Sequence, residues 1–91
     1  MASARLKVTF RGTVQGVGFR YTACEVAEGF EVAGYVKNMR DGSVEMVAEG
    51  EKEELLSFRG AILDRMGGYV RGQEEEWGLA KGEFAEFRVA F

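Results

Sequence analysis

Nine residues, Gly12-Thr13-Val14-Gln15-Gly16-Val17-Gly18-Phe19-Arg20, join two segments of different period and so decide how this chain passes from strand to helix. Before them, Arg5-Leu6-Lys7-Val8-Thr9-Phe10-Arg11 alternates polar and apolar residues, the pattern of a strand with one buried face. After them, Phe19, Thr22, Ala23, Val26, Ala27 and Phe30 recur at helical spacing and predict a helix from Phe19 to Phe30. Glycines at 12, 16 and 18 can take positive φ without steric cost, which lets backbone N–H groups converge. The helix start behind them adds unpaired donors and a partial positive charge. Arg20 then supplies a planar fork of donors suited to two oxygens of a phosphate or carboxylate. The stretch reads either as an anion cradle or as a tight turn followed by a surface arginine. Its lack of Pro, Asn, Asp and Ser, all of which a merely structural turn is free to use, favours the cradle.

Downstream, Ala33 to Met39 reads as a second strand, and Arg40-Asp41-Gly42-Ser43 as a hairpin turn into a third, where Val44, Met46 and Ala48 alternate with Glu45, Val47 and Glu49. Glu51 to Met66 predicts a second helix, with Glu51, Glu53 and Glu54 at its start, Leu55, Phe58, Ile62 and Met66 as its apolar stripe, and Gly67-Gly68 as its stop. Tyr69 to Trp77 is a fourth strand weakened by Gly72 and by Glu74-Glu75-Glu76. A loop through Gly78 and Gly82 leads to a last strand, Phe84 to Phe91, with Phe87, Val89 and Phe91 on one face. The order is β-α-β-β-α-β with a short extra C-terminal strand. Right-handed crossovers put both helices on one face of an antiparallel sheet, an α+β, ferredoxin-like α/β sandwich. Residues 1–91 suffice for one such domain and not for a second.

Several chemistries are excluded by what the chain lacks. With no histidine and a single cysteine, Cys24, it is without the usual ligands of zinc and the softer metals, the commonest general base, and any internal disulfide. Cys24 does not fit a phosphatase nucleophile either, because the loop that serves such a cysteine closes on an arginine where this chain has Phe30. No apolar run approaches the roughly eighteen residues needed to cross a bilayer. Met1-Ala2-Ser3-Ala4-Arg5 lacks the apolar core of a secretory signal, so the expectation is a cytoplasmic protein with no membrane partner. Residues 1–40 carry six basic and three acidic groups, while residues 41–91 carry six basic and twelve acidic ones. The cradle thus lies in a half with charge +3 within a chain of charge −3, which suits a small anion and disfavours nucleic acid. RNA-recognition domains share the element order, but the central strand Ser43 to Glu49 has none of the aromatics they use.

Gly12-x-Val14-Gln15-Gly16-Val17-Gly18-Phe19-Arg20 resembles the signature of the acylphosphatases, and Gly34-Tyr35-Val36-Lys37-Asn38 followed by Asp41-Gly42 resembles that family's second motif. The resemblance covers nearly the whole chain. It implies the same ferredoxin-like fold and the metal-independent, cofactor-free hydrolysis of a small acyl phosphate to a carboxylate and inorganic phosphate, by an expected monomer. Carried over to this chain, it assigns the phosphate to the backbone amides of Gln15, Gly16, Val17, Gly18 and Phe19 and to the side chain of Arg20, and the attacking water to Asn38. The chemistry is self-consistent, because a carboxylate leaving group with a pKa of about 4 departs without a general acid. A site free of histidine is then adequate for an acyl phosphate and inadequate for an ordinary phosphate ester.

Three points stay open at this level. Asn38 on its own also reads as a hydrogen-bonding residue of the Arg40-Asp41-Gly42 turn, although it lies mid-strand, where Asn is disfavoured. The same fold also serves domains that bind carbamoyl phosphate or phosphate without hydrolysis inside longer maturation enzymes. Finally, Glu31 stands where the family usually has the glycine that ends the first helix. Either that helix ends differently, or Glu31 is held left-handed at about 1–2 kcal/mol of strain, and the expectation is that Glu31→Gly raises stability with activity unchanged. The pattern does not place Glu74 to Trp77 relative to the substrate's acyl side.

Overall fold

The computed structural model describes residues 3–91. The alternation around Arg5 builds β1, Ser3–Gly12, whose Leu6, Val8 and Phe10 are wholly buried. The first helical stripe builds α1, Phe19–Ala27, and the second builds α2, Lys52–Met66, which buries Leu55, Phe58, Ile62 and Met66. Between them β2, Ala33–Asn38, and β3, Val44–Glu51, form an antiparallel hairpin. A 3₁₀ turn, Gly67–Tyr69, leads from α2 to β4, Val70–Leu79, and the chain ends with β5, Phe87–Ala90.

The sheet order is β4-β1-β3-β2-β5. Because β3 lies antiparallel between β1 and β2, those two strands run the same way, with α1 crossing from one to the other. The inward residues of β1, β2 and β3 meet the buried stripes of both helices in one core. This is the ferredoxin-like arrangement the pattern predicts, with the active loop emerging where β1 gives way to α1.

The boundaries differ from the pattern in three places. Helix α1 stops at Ala27, three residues early. It unwinds through tighter bonds from the amides of Glu28, Gly29 and Phe30 to the carbonyls of Glu25, Val26 and Ala27. No left-handed residue is then needed. Among the described residues no side-chain-bearing residue has positive φ, so the expected strain at Glu31 is absent; its amide donates to the Glu54 carboxylate at 2.8 Å. Phe30 leaves the helix but still reaches the core, its ring 5.9 Å from that of Phe58.

Strand β4 runs ten residues and extends past the expected limit at Trp77 to Leu79. Its glutamates and Gly72 are tolerated because it is an edge strand whose only neighbour is β1. Glu75 pairs with Arg59 of α2, and the Lys52 ammonium sits 5.7 Å from the ring centre of Trp77. Trp77 is in register with Leu6, so it lies at the opposite end of β1 from Gly12.

Strand β5 is shorter than expected and pairs parallel to β2, which makes the sheet antiparallel over four strands and parallel at the fifth. The two ends of its connection explain this. Strand β4 holds one edge and β5 the other, so residues 80–86 must cross the face of the sheet that the helices leave open. The buried Glu49 carboxylate pins the crossing, accepting the amides of Lys81 at 2.8 Å and Gly82 at 3.0 Å and the Arg5 guanidinium at 2.9 Å. Phe84 completes it, with its ring 5.9 Å from that of Tyr35 and 5.3 Å from the Arg5 guanidinium carbon.

Candidate active site

Two apolar side chains anchor the loop between β1 and α1. Val14 and Phe19 are 1% and 2% exposed, and the Phe19 ring lies 4.9 Å from that of Phe10. Burial of these two residues leaves Gly16 and Gly18 facing outward. Their φ angles are 78° and 79°, while Val17 between them has negative φ. Residues of alternating handedness turn successive amides toward one concave side, and glycine is what the two positive positions require. Gly18 is also the N-cap of α1, with no side-chain cap. No acceptor among the described residues takes the amides of Gln15 to Phe19. Of these residues Gly16, Gly18 and Phe19, together with the start of α1, open on one side of the loop.

That side is a cavity of about 380 Å³. Gly16, Gly18 and Arg20 line it from the loop and the first turn of α1, and Asn38 lines it from the last position of β2. The structure thus brings together groups 18 positions apart in the chain. Arg5, Arg11, Arg59 and Arg65 are paired with carboxylates, whereas Arg20, like Arg40, Arg71 and Arg88, has no carboxylate partner among the described residues; of these four only Arg20 lines the cavity. A free guanidinium beside unpaired amides attracts an anion and repels a metal ion.

Asn38 pairs with Val44 through the β2–β3 ladder, but among the described residues its side chain makes no hydrogen bond to the turn that follows. Met39 donates its amide to the Ser43 carbonyl at 2.9 Å, and Gly42 donates to the Met39 carbonyl at 3.2 Å. The Asp41 carboxylate accepts the amide of Ser43 at 3.0 Å and its hydroxyl at 2.5 Å. These bonds from Ser43, with the Arg11 guanidinium 3.2 Å away, hold the Asp41 carboxyl at about 2. The turn is complete without the Asn38 side chain, which leaves its carboxamide to the cavity.

One role was not legible in the sequence. Gln15 enters the cradle through its amide, but its side chain does separate work, donating both N–H bonds across the loop to the carbonyls of Met39, at 2.7 Å, and Ser43, at 2.9 Å. It fastens the glycine loop to the hairpin that carries Asn38. The only available signal was a long polar side chain among small and apolar ones, since its partners lie 24 and 28 residues away. Cys24 also borders the cavity, but burial, with Glu28 nearby, pushes its thiol up and keeps it protonated.

Known proteins resemble this chain in sequence and fold. The acylphosphatase family model matches residues 6–89. An acylphosphatase of Caldanaerobacter subterraneus subsp. tengcongensis is 39% identical, with 96% of each chain covered. One from Syntrophotalea carbinolica is 36% identical over the whole of both chains. The crystal structure of acylphosphatase from Bacillus subtilis superposes with a TM-score of 0.86 at 30% identity, covering 97% of this chain and 99% of that one. A match that runs from β1 to β5 leaves no element of the fold outside it, and the chain belongs to the acylphosphatase family, enzymes that hydrolyse acyl phosphates.

Proposed function

We propose that the amides of Gln15, Gly16, Val17, Gly18 and Phe19 and the guanidinium of Arg20 hold the phosphate of a small acyl phosphate, and that Asn38 orients the water that attacks it. The observation that carries this reading is the meeting of Arg20 and Asn38, from separate elements, at one cavity that Gly16, Gly18 and Phe19 of the loop also line. Charge-assisted hydrogen bonds contribute about 1.5–3 kcal/mol each, so several together hold a dianion without a metal ion.

The carboxamide of Asn38 can both accept from and donate to a water, but it is no base at neutral pH. Water oxygen bonds to phosphorus, its proton passes to a phosphate oxygen, and the bond from phosphorus to the acyl oxygen breaks. The carboxylate leaves with the electron pair, and its low basicity removes the need for a general acid. Cradle and arginine then stabilise the charge on the transferring group. Residues 1–91 act in this reading as one domain, a monomer, since loop, helix and strand of a single chain complete the site. The free Cys24 and the absence of any cysteine to pair with it suit a cytoplasmic setting.

Hydrolysis of benzoyl phosphate in the presence of chelator, by the parent chain, Arg20→Ala and Asn38→Ala, tests the assignment. The parent is expected to be active. Arg20→Ala loses inhibition by inorganic phosphate together with turnover, while Asn38→Ala keeps that inhibition and loses about a hundredfold in kcat. A parent chain that binds phosphate and carbamoyl phosphate but hydrolyses neither substrate would replace the enzyme mechanism with the binding-domain alternative.

A further inference from the structure

The cavity has a second half that the phosphate assignment does not use. Beyond Arg20 and Asn38 its wall is formed by Tyr21, Cys24, Val89 and Phe91. None of the lining side chains is a carboxylate, and Arg20 is the only cation among them. The wall owes its place to the last strand. Alternation keeps Phe87 and Val89 on one face of β5, and Phe91 directly follows its last residue. Phe87 meets the ring of Phe58 edge-on at 5.1 Å, and Val89 packs half-buried against the core. Phe91 runs on past the core and is 95% exposed. The parallel register that sets Ala90 against Lys37 carries Phe91 abreast of Asn38, and its ring lies 5.5 Å from the Arg20 guanidinium carbon. Tyr21, which follows Arg20 on α1 and is 72% exposed, lines the same cavity. Two exposed aromatic rings thus border the one cavity that holds the unpaired donors.

We propose that Phe91, Val89 and Tyr21 form an acyl-group subsite that selects an uncharged aromatic or branched apolar acyl group over a small one. The inference rests on the phosphate reading above, since the phosphate fixes which way the acyl group extends. With the phosphate on the loop amides and Arg20, the acyl carbon and its substituent face the apolar wall. A flat substituent buries surface against Phe91 and Tyr21, whereas an acetyl group is too short to reach both. An acyl chain ending in its own carboxylate finds no second cation on the wall, so the subsite does not reward it.

The test compares kcat/KM for benzoyl phosphate and acetyl phosphate in the parent chain, Phe91→Ala, Phe91→Leu and Tyr21→Ser, with inhibition by inorganic phosphate measured alongside. Taking the benzoyl-to-acetyl ratio in each variant, relative to the parent ratio, cancels the difference in intrinsic reactivity. The expected result is a ratio lowered about three- to tenfold by Phe91→Ala, through KM, and lowered less by Phe91→Leu. Tyr21→Ser lowers it in the same direction. An unchanged ratio overturns the inference. So does an equal loss on both substrates with weakened phosphate inhibition, which makes Phe91 a prop for Arg20, or a gain on both, which makes its ring a competitor for the guanidinium. A parent chain that hydrolyses neither substrate overturns the phosphate reading itself, and the subsite with it.

Discussion

Gln15, whose amide is proposed above to hold phosphate, also donates its carboxamide N–H groups to the carbonyls of Met39 and Ser43. Glu at this position keeps the shape but, when ionised, offers no N–H and faces two carbonyl oxygens. Gln15→Glu is therefore expected to cost about 1–3 kcal/mol in unfolding free energy, because the carbonyls lose their donor and meet a like charge. In steady-state kinetics kcat should fall more than phosphate inhibition weakens, since the hairpin carrying Asn38 drifts while the loop amides remain. Equal stability and equal kcat for this variant would show that the hairpin holds itself. Arg20 was legible at the residue scale as a donor set behind a glycine-rich loop at a helix start, whereas Asn38 by itself read equally as a turn residue and was singled out by the resemblance to the acylphosphatases. The second role of Gln15 was hidden because both partners are backbone carbonyls, which any sequence supplies.

At the scale of elements, periodicity predicts which segments are strands and helices, and says little about what a segment's edge touches. Every element of the expected order is present, while the end of α1, the length of β4 and the partner of β5 had to be seen. The glutamates of β4 look hostile to a strand until its edge position is known. The parallel pairing of β5 depends on where residues 80–86 cross, and that path is set by the distant Glu49. The end of α1 reverses one expectation outright. With Glu31 in an ordinary conformation and its amide on Glu54, Glu31→Gly relieves no strain and adds freedom to the unfolded chain. The variant is expected to be less stable by about 0.5–1 kcal/mol, read as a lower denaturant midpoint with an unchanged slope.

Across the whole molecule, two carboxylates tie separate parts of the chain together and give the fold an acid limit. Asp41 closes the hairpin turn and sits at about 2, against 3.8 for the free group. At Glu49 burial works against the charge, but the amides of Lys81 and Gly82 and the Arg5 guanidinium outweigh it and lower the pKa. Groups lowered by folding stabilise at pH above their unfolded values, and that contribution disappears as pH falls through the folded ones. Stability should therefore drop from about pH 4 toward about pH 2, and Asp41→Asn should flatten the lower part of the curve, as measured by denaturation at fixed ionic strength. The chain's one tryptophan adds an optical consequence. Trp77 stands on the edge strand farthest from β5 and at the end of β1 remote from the glycine loop. Its emission reports the loss of the β1–β4 edge and stays blind to whatever enters the cavity. Inorganic phosphate at ten times its Kd should leave the native spectrum unaltered while raising unfolding free energy by about 1.4 kcal/mol. The molecule thus carries a built-in fluorophore on the edge of the sheet opposite to β5, whose Val89 lines the cavity.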